Sequence, residues 1–251
     1  GYISYAMANK ERNRDDFEAG TGGQPQHETL HDLELGLERK NSVFNWNVTL
    51  YYMQYRNQLV LTGKINDVGA YVRTNIPNSY RAGVELQAGW MPVSWFNASG
   101  NIAFSRNKVK DYTAWYDDYD QGIQKAETFE KSDISFSPSV TGAAAVNFLP
   151  FQNWEISLLS KYVSKQYLDN TENDSRMLNA FFIQDVRSIY TLKQLLFSEI
   201  GLVLQINNVF DKMYEPNGYT YSYISGGSLV SENYYFPMAG RNFTIGVNVK
   251  F

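Results

Sequence analysis

The chain has 251 residues, 43% hydrophobic and 16% aromatic, and its 22 basic and 26 acidic side chains leave a net charge of −4. That mild acidic balance supplies no basic face for nucleic acid, and the lack of cysteine excludes a disulfide framework and any thiolate metal site. Because the sequence has neither a run of about eighteen apolar residues nor a leader-like start, we expect no transmembrane helix and no signal peptide in it.

The aromatic content is the unusual feature, with 19 Tyr, 15 Phe and 5 Trp against two His. Tyrosine and tryptophan suit structures that are apolar along one side and wet at the ends. They also form the aromatic girdles of outer-membrane β-barrels. A hydropathy average does not detect such barrels, because apolar and polar residues alternate along each strand and their contributions cancel.

Ten segments alternate apolar and polar residues with a period of two, which sends one set of side chains to each face of a strand. The alternation is clearest at the end of the sequence, where Phe243, Ile245 and Val247 share one parity and Thr244 and Gly246 the other. In chain order the predicted strands are 2–10, 32–38, 44–52, 80–90, 96–104, 138–148, 154–162, 180–192, 199–207 and 242–251.

The connections between these strands alternate between long and short along the chain. Short turns at one end and long extracellular loops at the other are typical of an outer-membrane barrel, whereas a β-sandwich has no reason to sort its loops by parity. The sequence therefore predicts an all-β, antiparallel transmembrane barrel with its apolar face toward lipid and lipopolysaccharide. The long connections are 11–28, 57–79, 107–136, 166–177 and 212–235, and the short ones are 40–43, 91–93, 150–152 and 193–196.

Four segments carry a resemblance to one receptor family. Residues 207–214 read Asn-Asn-Val-Phe-Asp-Lys-Met-Tyr, and 237–243 read Pro-Met-Ala-Gly-Arg-Asn-Phe before an alternation that ends at Phe251. Upstream, 50–59 read Leu-Tyr-Tyr-Met-Gln-Tyr-Arg-Asn-Gln-Leu, and 80–86 read Tyr-Arg-Ala-Gly-Val-Glu-Leu. In this order, and over most of the chain, the segments resemble strands of TonB-dependent outer-membrane receptors.

The resemblance implies a plugged barrel of about 22 strands, of which residues 1–251 supply ten as the C-terminal part, without the N-terminal plug domain. It implies active import of a scarce substrate, such as an iron–siderophore, another metal chelate or a vitamin, across the outer membrane of a Gram-negative bacterium. The implied partners are the TonB–ExbB–ExbD complex, acting through the plug, and the outer-membrane assembly machinery, which would read Phe251. No cofactor is implied.

Two other classes of function remain open on the sequence. A complete ten-stranded outer-membrane barrel would act as a pore, an adhesin or a surface enzyme. A soluble β-rich carbohydrate-binding protein would bury the apolar parity against a second sheet.

An enzyme of the barrel-protease or lipase kind needs a histidine beside a carboxylate or a serine. Only His27 and His31 are available, with Asp16, Glu28 and Asp32 near them in sequence. Two polar residues on a solvated strand rim are the simpler interpretation of this pair, so we expect no enzymatic activity.

Charges and glycines occur on the parity assigned to the lumen. Because an isolated buried charge is costly, we expect the charges to contact the plug or water. The glycines either admit a bulky neighbour or relieve strand curvature. The charges are Arg81, Glu85, Glu155, Lys161, Asp185 and Arg187, and the glycines are Gly36, Gly83, Gly89, Gly201 and Gly246.

Two of the long connections carry the candidate binding chemistry. Residues 111–120 hold four acids among four aromatics, and 212–235 hold six tyrosines with a Gly-Gly pair. Rigid aromatic rings beside flexible glycines suit the capture of a planar or sugar-like ligand, while packing in the interfacial girdle is the alternative for the tyrosines. Asp117, Asp118 and Asp120 form a weak candidate site for Ca²⁺, which prefers oxygen ligands, and a solvated acidic loop is the simpler interpretation. The candidate ligand-binding residues are Trp115, Tyr116, Tyr119, Tyr219, Tyr221 and Tyr223.

Overall fold

The computed structural model describes residues 1–12, 26–66, 68–192 and 198–250, and these residues form fifteen β-strands. In this part of the chain no helix is long and apolar enough to span a membrane. The strands are β1 (Tyr2–Lys10), β2 (Glu28–Lys40), β3 (Phe44–Ile65), β4 (Tyr71–Val93), β5 (Phe96–Asp118), β6 (Ile123–Asp133), β7 (Val140–Phe151), β8 (Trp154–Val163), β9 (Gln166–Tyr167), β10 (Met177–Leu178), β11 (Phe181–Leu192), β12 (Glu199–Asn207), β13 (Asn217–Ser225), β14 (Ser228–Phe236) and β15 (Asn242–Lys250).

Ten of these strands form one antiparallel wall in the order β1-β2-β3-β4-β5-β7-β8-β11-β12-β15, and β1 and β15 lie at its two ends. They coincide with the ten segments of period-two alternation, so the predicted all-β antiparallel fold is confirmed. The short-turn end of the wall is tightly built. After β2, the side-chain oxygen of Asn41 accepts hydrogen bonds from the amides of Val43 and Phe44 at 2.9 and 2.7 Å.

The two faces of the wall differ in chemistry as the alternation predicts. One transverse row places Leu35, Leu50, Val84 and Phe104 side by side across β2 to β5. Of these side chains Leu35, Leu50 and Phe104 are exposed, at 47% for Leu35 and 45% for Phe104, and exposure reaches 79% at Ile245 of β15. A continuous exposed apolar face of this kind is typical of a barrel wall that faces lipid.

On the polar face, glycines lie beneath tyrosine rings of the adjacent strand. Tyr2 pairs with Gly36 and Tyr51 with Gly83, and a Cβ added at either glycine would collide with the tyrosine ring or hydroxyl. At these two positions the glycine therefore admits a bulky cross-strand neighbour within the wall itself.

The regular alternation is interrupted along one transverse row formed by Asn57 of β3, Pro77 of β4 and Asp111 of β5. Asn57 and Asp111 have φ angles of 53° and 55°, in the left-handed region that Asn and Asp tolerate better than most residues. Pro77 has no N–H to donate to a ladder. The β3–β4 and β5–β6 ladders pair residues on both sides of this row while omitting the row itself. We call it the break row.

Beyond the break row the parity of the buried positions changes. In β5, Val109 before the row and Tyr112 after it are both buried, at 0% and 5% exposure. In β3, the side-chain oxygen of Gln58 accepts a hydrogen bond from the hydroxyl of Ser79, which belongs to the polar-face parity of β4. The strands thus continue past the row with the opposite set of side chains turned inward.

The connections 57–79, 107–136 and 212–235, predicted as long loops, are instead largely strands. β3 extends to Ile65 and β4 begins at Tyr71, so these two strands form one hairpin. β5 and β6 form a second hairpin, and β13 and β14 form a third. For β3 and β5 the prediction was wrong because polar and charged residues replace the apolar ones on the apolar parity as each strand nears the break row, so the alternation seems to end there.

These extensions pack into a cap at the long-hairpin end, which we define as residues 57–66, 68–77, 109–137, 164–178 and 217–236. The cap has its own core, and the segment 164–178 inserts into it, with Leu168 and Asn170 at 0% exposure. The core cluster consists of Val60, Ile76, Val109, Tyr112, Ala114, Tyr116 and Ile134, with Phe129 and Ile224 against it.

Candidate functional site in the cap

The two segments predicted to carry ligand chemistry meet in the cap. β13 runs parallel to the end of β5 for two residue pairs, Tyr223 with Asp117 and Ile224 with Asp118. Just beyond them, the amide of Tyr119 donates to the carbonyl of Ile224 at 3.0 Å. This short parallel contact is the one departure from the antiparallel pattern among the described strand pairs, and it brings residues about a hundred positions apart into one surface.

Three tyrosines gather at this junction, and we call them the tyrosine cluster. The hydroxyls of Tyr119 and Tyr221 lie 2.8 Å apart, and the ring of Tyr223 lies 5.4 Å from that of Tyr119 and 5.6 Å from that of Tyr221. The hydroxyl of Tyr221 also donates to the carboxylate of Asp117 at 3.3 Å. The ammonium of Lys64 lies 5.7 Å from the Tyr221 ring centroid, so a cation flanks the cluster.

Two hydroxyls of the cluster, those of Tyr221 and Tyr223, are held in the protonated form. The hydrogen bond with Tyr119, then burial, then the nearby carboxylate of Asp117 raise the pKa of Tyr221 well above its ordinary value. The hydrogen bond to Glu232 raises the pKa of Tyr223. The cluster therefore offers aromatic faces, neutral hydroxyls and one ammonium group, a combination that can stack on a ring and bind acceptor oxygens.

The other predicted ligand residues lie in three different settings. Trp115 is 55% exposed at the surface. Tyr219 stacks on Tyr234 with ring centroids 4.8 Å apart. Tyr116 is 5% exposed and belongs to the cap core, so it packs the cap rather than offering a contact surface.

Asp118 organises the turn that follows β5. One of its oxygens accepts hydrogen bonds from the amides of Asp120 and Gln121 at 2.9 and 3.1 Å, and the other lies 2.6 Å from the ammonium of Lys125. The hydrogen bond from Lys125, reinforced by those two amides, lowers the pKa of Asp118 below its ordinary value. The turn is thus fixed by a carboxylate that must be ionised.

The neighbouring carboxylates face other partners. Asp120 accepts hydrogen bonds from the amides of Gly226 and Gly227 at 2.9 and 2.8 Å, which ties the tip of the β5–β6 hairpin to that of the β13–β14 hairpin. Asp117 accepts from the side chain of Gln124 at 2.8 Å. Within the described ranges no group of three or more His, Asp or Glu could hold a metal ion, so the predicted calcium site gains no support.

A buried arginine behind the cluster was missed by sequence reasoning. Arg176 is 1% exposed, lies 3.1 Å from the carboxylate of Asp169, and donates to the hydroxyls of Thr171 and Ser222 at 2.6 and 2.8 Å. Ser222 stands between two tyrosines of the cluster on β13, so this network fixes the strand that presents them. A lone arginine in a segment rich in Asn, Asp, Ser and Thr was the only available signal.

The two histidines considered as a catalytic or metal-binding pair lie in different settings. His31 lies on the apolar face, where its Nδ1 is 2.8 Å from the hydroxyl of Tyr5 and the two rings stack. Asp32 follows on the opposite face, and His27 is exposed before β2 begins. Asp16, and the predicted assembly signal Phe251, lie outside the described residues.

Several polar-face charges have partners within the chain. Arg187 lies 3.9 Å from the carboxylate of Glu155, and Asp185 accepts a hydrogen bond from the amide of Asn208 at 2.7 Å. Arg81 donates to the hydroxyl of Ser137 at 3.1 Å. Contact of these charges with a plug stays a prediction.

Ten antiparallel strands with an exposed apolar face, short turns at one end and long hairpins at the other define the wall of an outer-membrane β-barrel. A family model described as "TonB dependent receptor-like, beta-barrel" matches residues 2–209. The chain belongs to the TonB-dependent receptor family. A comparison with curated proteins found no match.

Solved receptors share the fold. The ferric yersiniabactin uptake receptor FyuA of Yersinia pestis superposes with a TM-score of 0.64 at 17% identity, over 98% of this chain and 34% of that one. The siderophore receptor PiuA of Acinetobacter baumannii gives 0.69 at 15% identity, over 99% and 33%. The ferric-catecholate import receptor Fiu of Escherichia coli K12 gives 0.67 at 13%, over 99% and 32%. The chain thus spans about a third of the length of these structures.

Proposed function

We propose that the protein carrying this chain is an outer-membrane receptor that binds a scarce small molecule and imports it with energy from TonB. An iron–siderophore is the favoured substrate class, with other metal chelates and vitamins as the alternatives. Family membership and the similarity of the fold to siderophore receptors support this proposal.

The tyrosine cluster is the observation that most supports the proposed binding of a small molecule. It lies at the long-hairpin end of the wall, which is the extracellular end in barrels of this class. Tyr119 is 62% exposed. Its ring forms one surface together with the rings of Tyr221 and Tyr223 and the ammonium of Lys64. Tyrosine loses little rotameric freedom on binding, and an ammonium group attracts the negative charge that ferric chelates commonly carry.

Direct binding by the full-length receptor tests this proposal. The panel would contain ferric catecholate, hydroxamate and carboxylate chelates and a cobalamin, titrated against wild-type receptor and against Tyr119→Ala and Tyr221→Ala. We expect one panel member to bind, and each substitution to weaken it by about tenfold or more because a stacking surface and a hydroxyl are lost together.

Phe151→Ala is the matched control, because Phe151 is 64% exposed at the short-turn end, away from the cluster. Unchanged binding in both tyrosine variants would remove the cluster from the binding step. Equal weakening in the Phe151 variant would show that the effect is a general loss of stability.

The remaining parts of the proposal concern what lies beyond this chain. We propose that residues 1–251 form the C-terminal part of a barrel of about 22 strands whose plug and other strands belong to the same polypeptide. The intact mass of the polypeptide purified from outer membranes tests this. A mass about three times the 28.8 kDa of this chain agrees with the 34% coverage of the yersiniabactin receptor, whereas a mass near 28.8 kDa would favour a self-contained pore, adhesin or surface enzyme.

A further inference from the structure

We propose that Asn170 is a positioning residue for the binding surface: it holds the β3–β4 hairpin in place, so that the ammonium of Lys64 stays beside the ring of Tyr221. The proposal rests on the proposed function, because it concerns the surface to which the small molecule would bind. It adds that the preference of this surface for an anionic molecule depends on a buried amide that the molecule does not touch.

The binding surface is assembled from three separate hairpins. Lys64 belongs to the β3–β4 hairpin, Tyr119 follows β5, and Tyr221 lies on β13. The ladder between β4 and β5 ends at the pair of Asn78 with Lys110, and among the described strands no ladder pair joins these two hairpins beyond it. Contacts outside the ladders therefore set how far Lys64 lies from the two tyrosines.

Asn170 joins two of the hairpins with both ends of its side-chain amide. Its NH2 group donates to the carbonyl of Leu61 in β3 at 2.7 Å, and its oxygen accepts from the amide of Ser135, just after β6, at 2.8 Å. The hydroxyl of Ser135 donates to the same Leu61 carbonyl at 2.8 Å. Because Leu61 lies three residues before Lys64, these bonds fix the part of β3 that carries the ammonium.

The segment 164–178, which contains Asn170, is anchored to the other hairpins as well. The carboxylate of Glu172 accepts a hydrogen bond from the amide of Asp133 in β6 at 3.0 Å. Arg176 donates to the hydroxyl of Ser222 in β13 at 2.8 Å. All three hairpins are thus bonded to one short segment, and Asn170 supplies its hydrogen bond to β3.

Strand β3 is tightly packed against this segment at Gly63, where φ is +85°. A Cβ at Gly63 would lie 2.7 Å from the carbonyl oxygen of Leu168 and 3.0 Å from the Cβ of Asp169. It would also lie 3.0 Å from the Cγ2 of Thr220 in β13. The residue that precedes Lys64 therefore contacts both the segment and β13, so the position of the ammonium depends on how the segment is seated.

The ammonium of Lys64 decides the charge of the surface. The hydroxyl of Tyr221 donates to the carboxylate of Asp117, so a negative charge lies within the same surface. With Lys64 displaced, an anionic molecule would meet that carboxylate without the compensating cation, and Coulomb repulsion would lower its affinity. The hydrogen bond that Lys64 itself makes, to the carbonyl of Trp115, is exposed and long at 3.4 Å, so it holds the ammonium only weakly.

The substitution Asn170→Asp in the full-length receptor tests this role. An aspartate keeps the acceptor for the amide of Ser135 but loses the NH2 group that donates to Leu61, so β3 is released while the side chain keeps its size. Asn173→Asp is the matched control, because it adds the same charge to the same segment. An aspartate there keeps the oxygen that accepts from the amide and the hydroxyl of Ser175 at 2.9 and 2.8 Å.

The spacing of the hairpins is measured first, with no small molecule added. Spin labels on Val68→Cys and Gln121→Cys, at exposed positions of the two hairpin turns, would report it by double electron–electron resonance in a cysteine-free receptor. We expect a narrow distance distribution in the parent receptor and in Asn173→Asp, and a broader one in Asn170→Asp. A distribution in Asn170→Asp as narrow as that of the control would overturn the proposal.

Ser135→Ala is a milder second variant, because it removes one of the two hydrogen bonds to the Leu61 carbonyl and keeps the Ser135 backbone in place. We expect a broadening in the same direction and of smaller size. Should Asn170→Asp fail to fold, this variant takes its place in both measurements, and unchanged spacing in it would overturn the proposal.

Binding is measured second, with ferric catecholate, hydroxamate and carboxylate chelates and a cobalamin as the probes. We expect Asn170→Asp to weaken the probe that wild-type receptor binds by about tenfold, and by less than about twofold when Lys64→Gln is already present. A general loss of stability would weaken binding equally with and without Lys64→Gln. That result, or unchanged binding in Asn170→Asp, would overturn the proposal.

The positioning role and the proposed function fail separately. If none of the probes binds wild-type receptor, the proposed function fails and the assigned charge preference fails with it, whereas the distance distributions still decide whether Asn170 holds the hairpin. If a probe binds and Tyr119→Ala weakens it, while Asn170→Asp changes neither spacing nor binding, only the positioning role fails.

Discussion

The wall and the cap are made from the same strands, yet they place apolar side chains in opposite settings. In the wall, Ile245 is 79% exposed, whereas Val60 in the cap is 3% exposed. The difference reflects the solvent around each region. The wall leaves its apolar face for lipid, while the cap stands in water and has to bury a core as a soluble domain does.

The break row separates the wall from the cap. Asn57, Pro77 and Asp111 lie side by side across three strands, and past them the inward face changes parity. Because a one-residue change of parity moves a whole set of side chains to the other face, three positions suffice to convert wall strands into cap strands.

The largest expected effect comes from breaking the cap while leaving the wall intact. Arg176→Ala leaves the carboxylate of Asp169, in a residue 6% exposed, without its cation. Loss of one partner of a buried pair costs about 3–5 kcal/mol. We expect hydrogen exchange and proteolysis to increase in 164–178 while the heat-dependent gel mobility of the barrel is unchanged.

Lys165→Ala is the control, because that lysine also pairs with an aspartate but is 51% exposed. An exposed pair contributes about 0–1 kcal/mol. If residues 164–178 are as well protected against hydrogen exchange and proteolysis in Arg176→Ala as in the control, the role assigned to the buried network is wrong.

A smaller effect is expected at the break row. Asn57→Val places a β-branched residue at a φ of 53°, a strain of about 1–3 kcal/mol, whereas Asn57→Gly accommodates that angle freely. The valine variant should loosen the cap in hydrogen exchange and the glycine variant should not. Equal protection in both variants would mean that the backbone angle is not what fixes the junction.

The smallest expected effect is a dependence of the cap on pH. The pKa of Asp118 is lowered in the folded protein, first by Lys125 and then by two amides. A lowered folded-state pKa adds stability above the unfolded value of about 4, and that stability is lost as pH falls through the folded value. The protection of the β5–β6 turn amides against hydrogen exchange should therefore decrease below about pH 4.

Asp118→Asn tests the assignment of that pH dependence. The variant should show weaker protection of the turn at neutral pH and little further change on acidification. If the variant keeps the acid-dependent loss of protection seen in wild type, the titrating group lies elsewhere.

Much of the wall could be predicted from the sequence, and little of the cap. Period-two alternation predicts the strands of the wall because one face must be apolar and the other polar, as in residues 243–249. In the cap that signal fails, since Arg106, Lys108 and Lys110 interrupt the apolar parity of β5 before Tyr112, Ala114 and Tyr116 resume it. Composition still indicated the tyrosines at 219–223, but their meeting with Tyr119 depends on a parallel contact between distant strands.

Uptake in cells is the most direct test of import energised by TonB. Cells expressing the full-length receptor would be offered iron-labelled catecholate, hydroxamate and carboxylate chelates and labelled cobalamin, with and without a functional TonB. We expect that one of these accumulates in receptor-bearing cells and that the accumulation disappears when TonB is deleted. Accumulation that is unchanged without TonB, or no receptor-dependent accumulation of any of them, would contradict it.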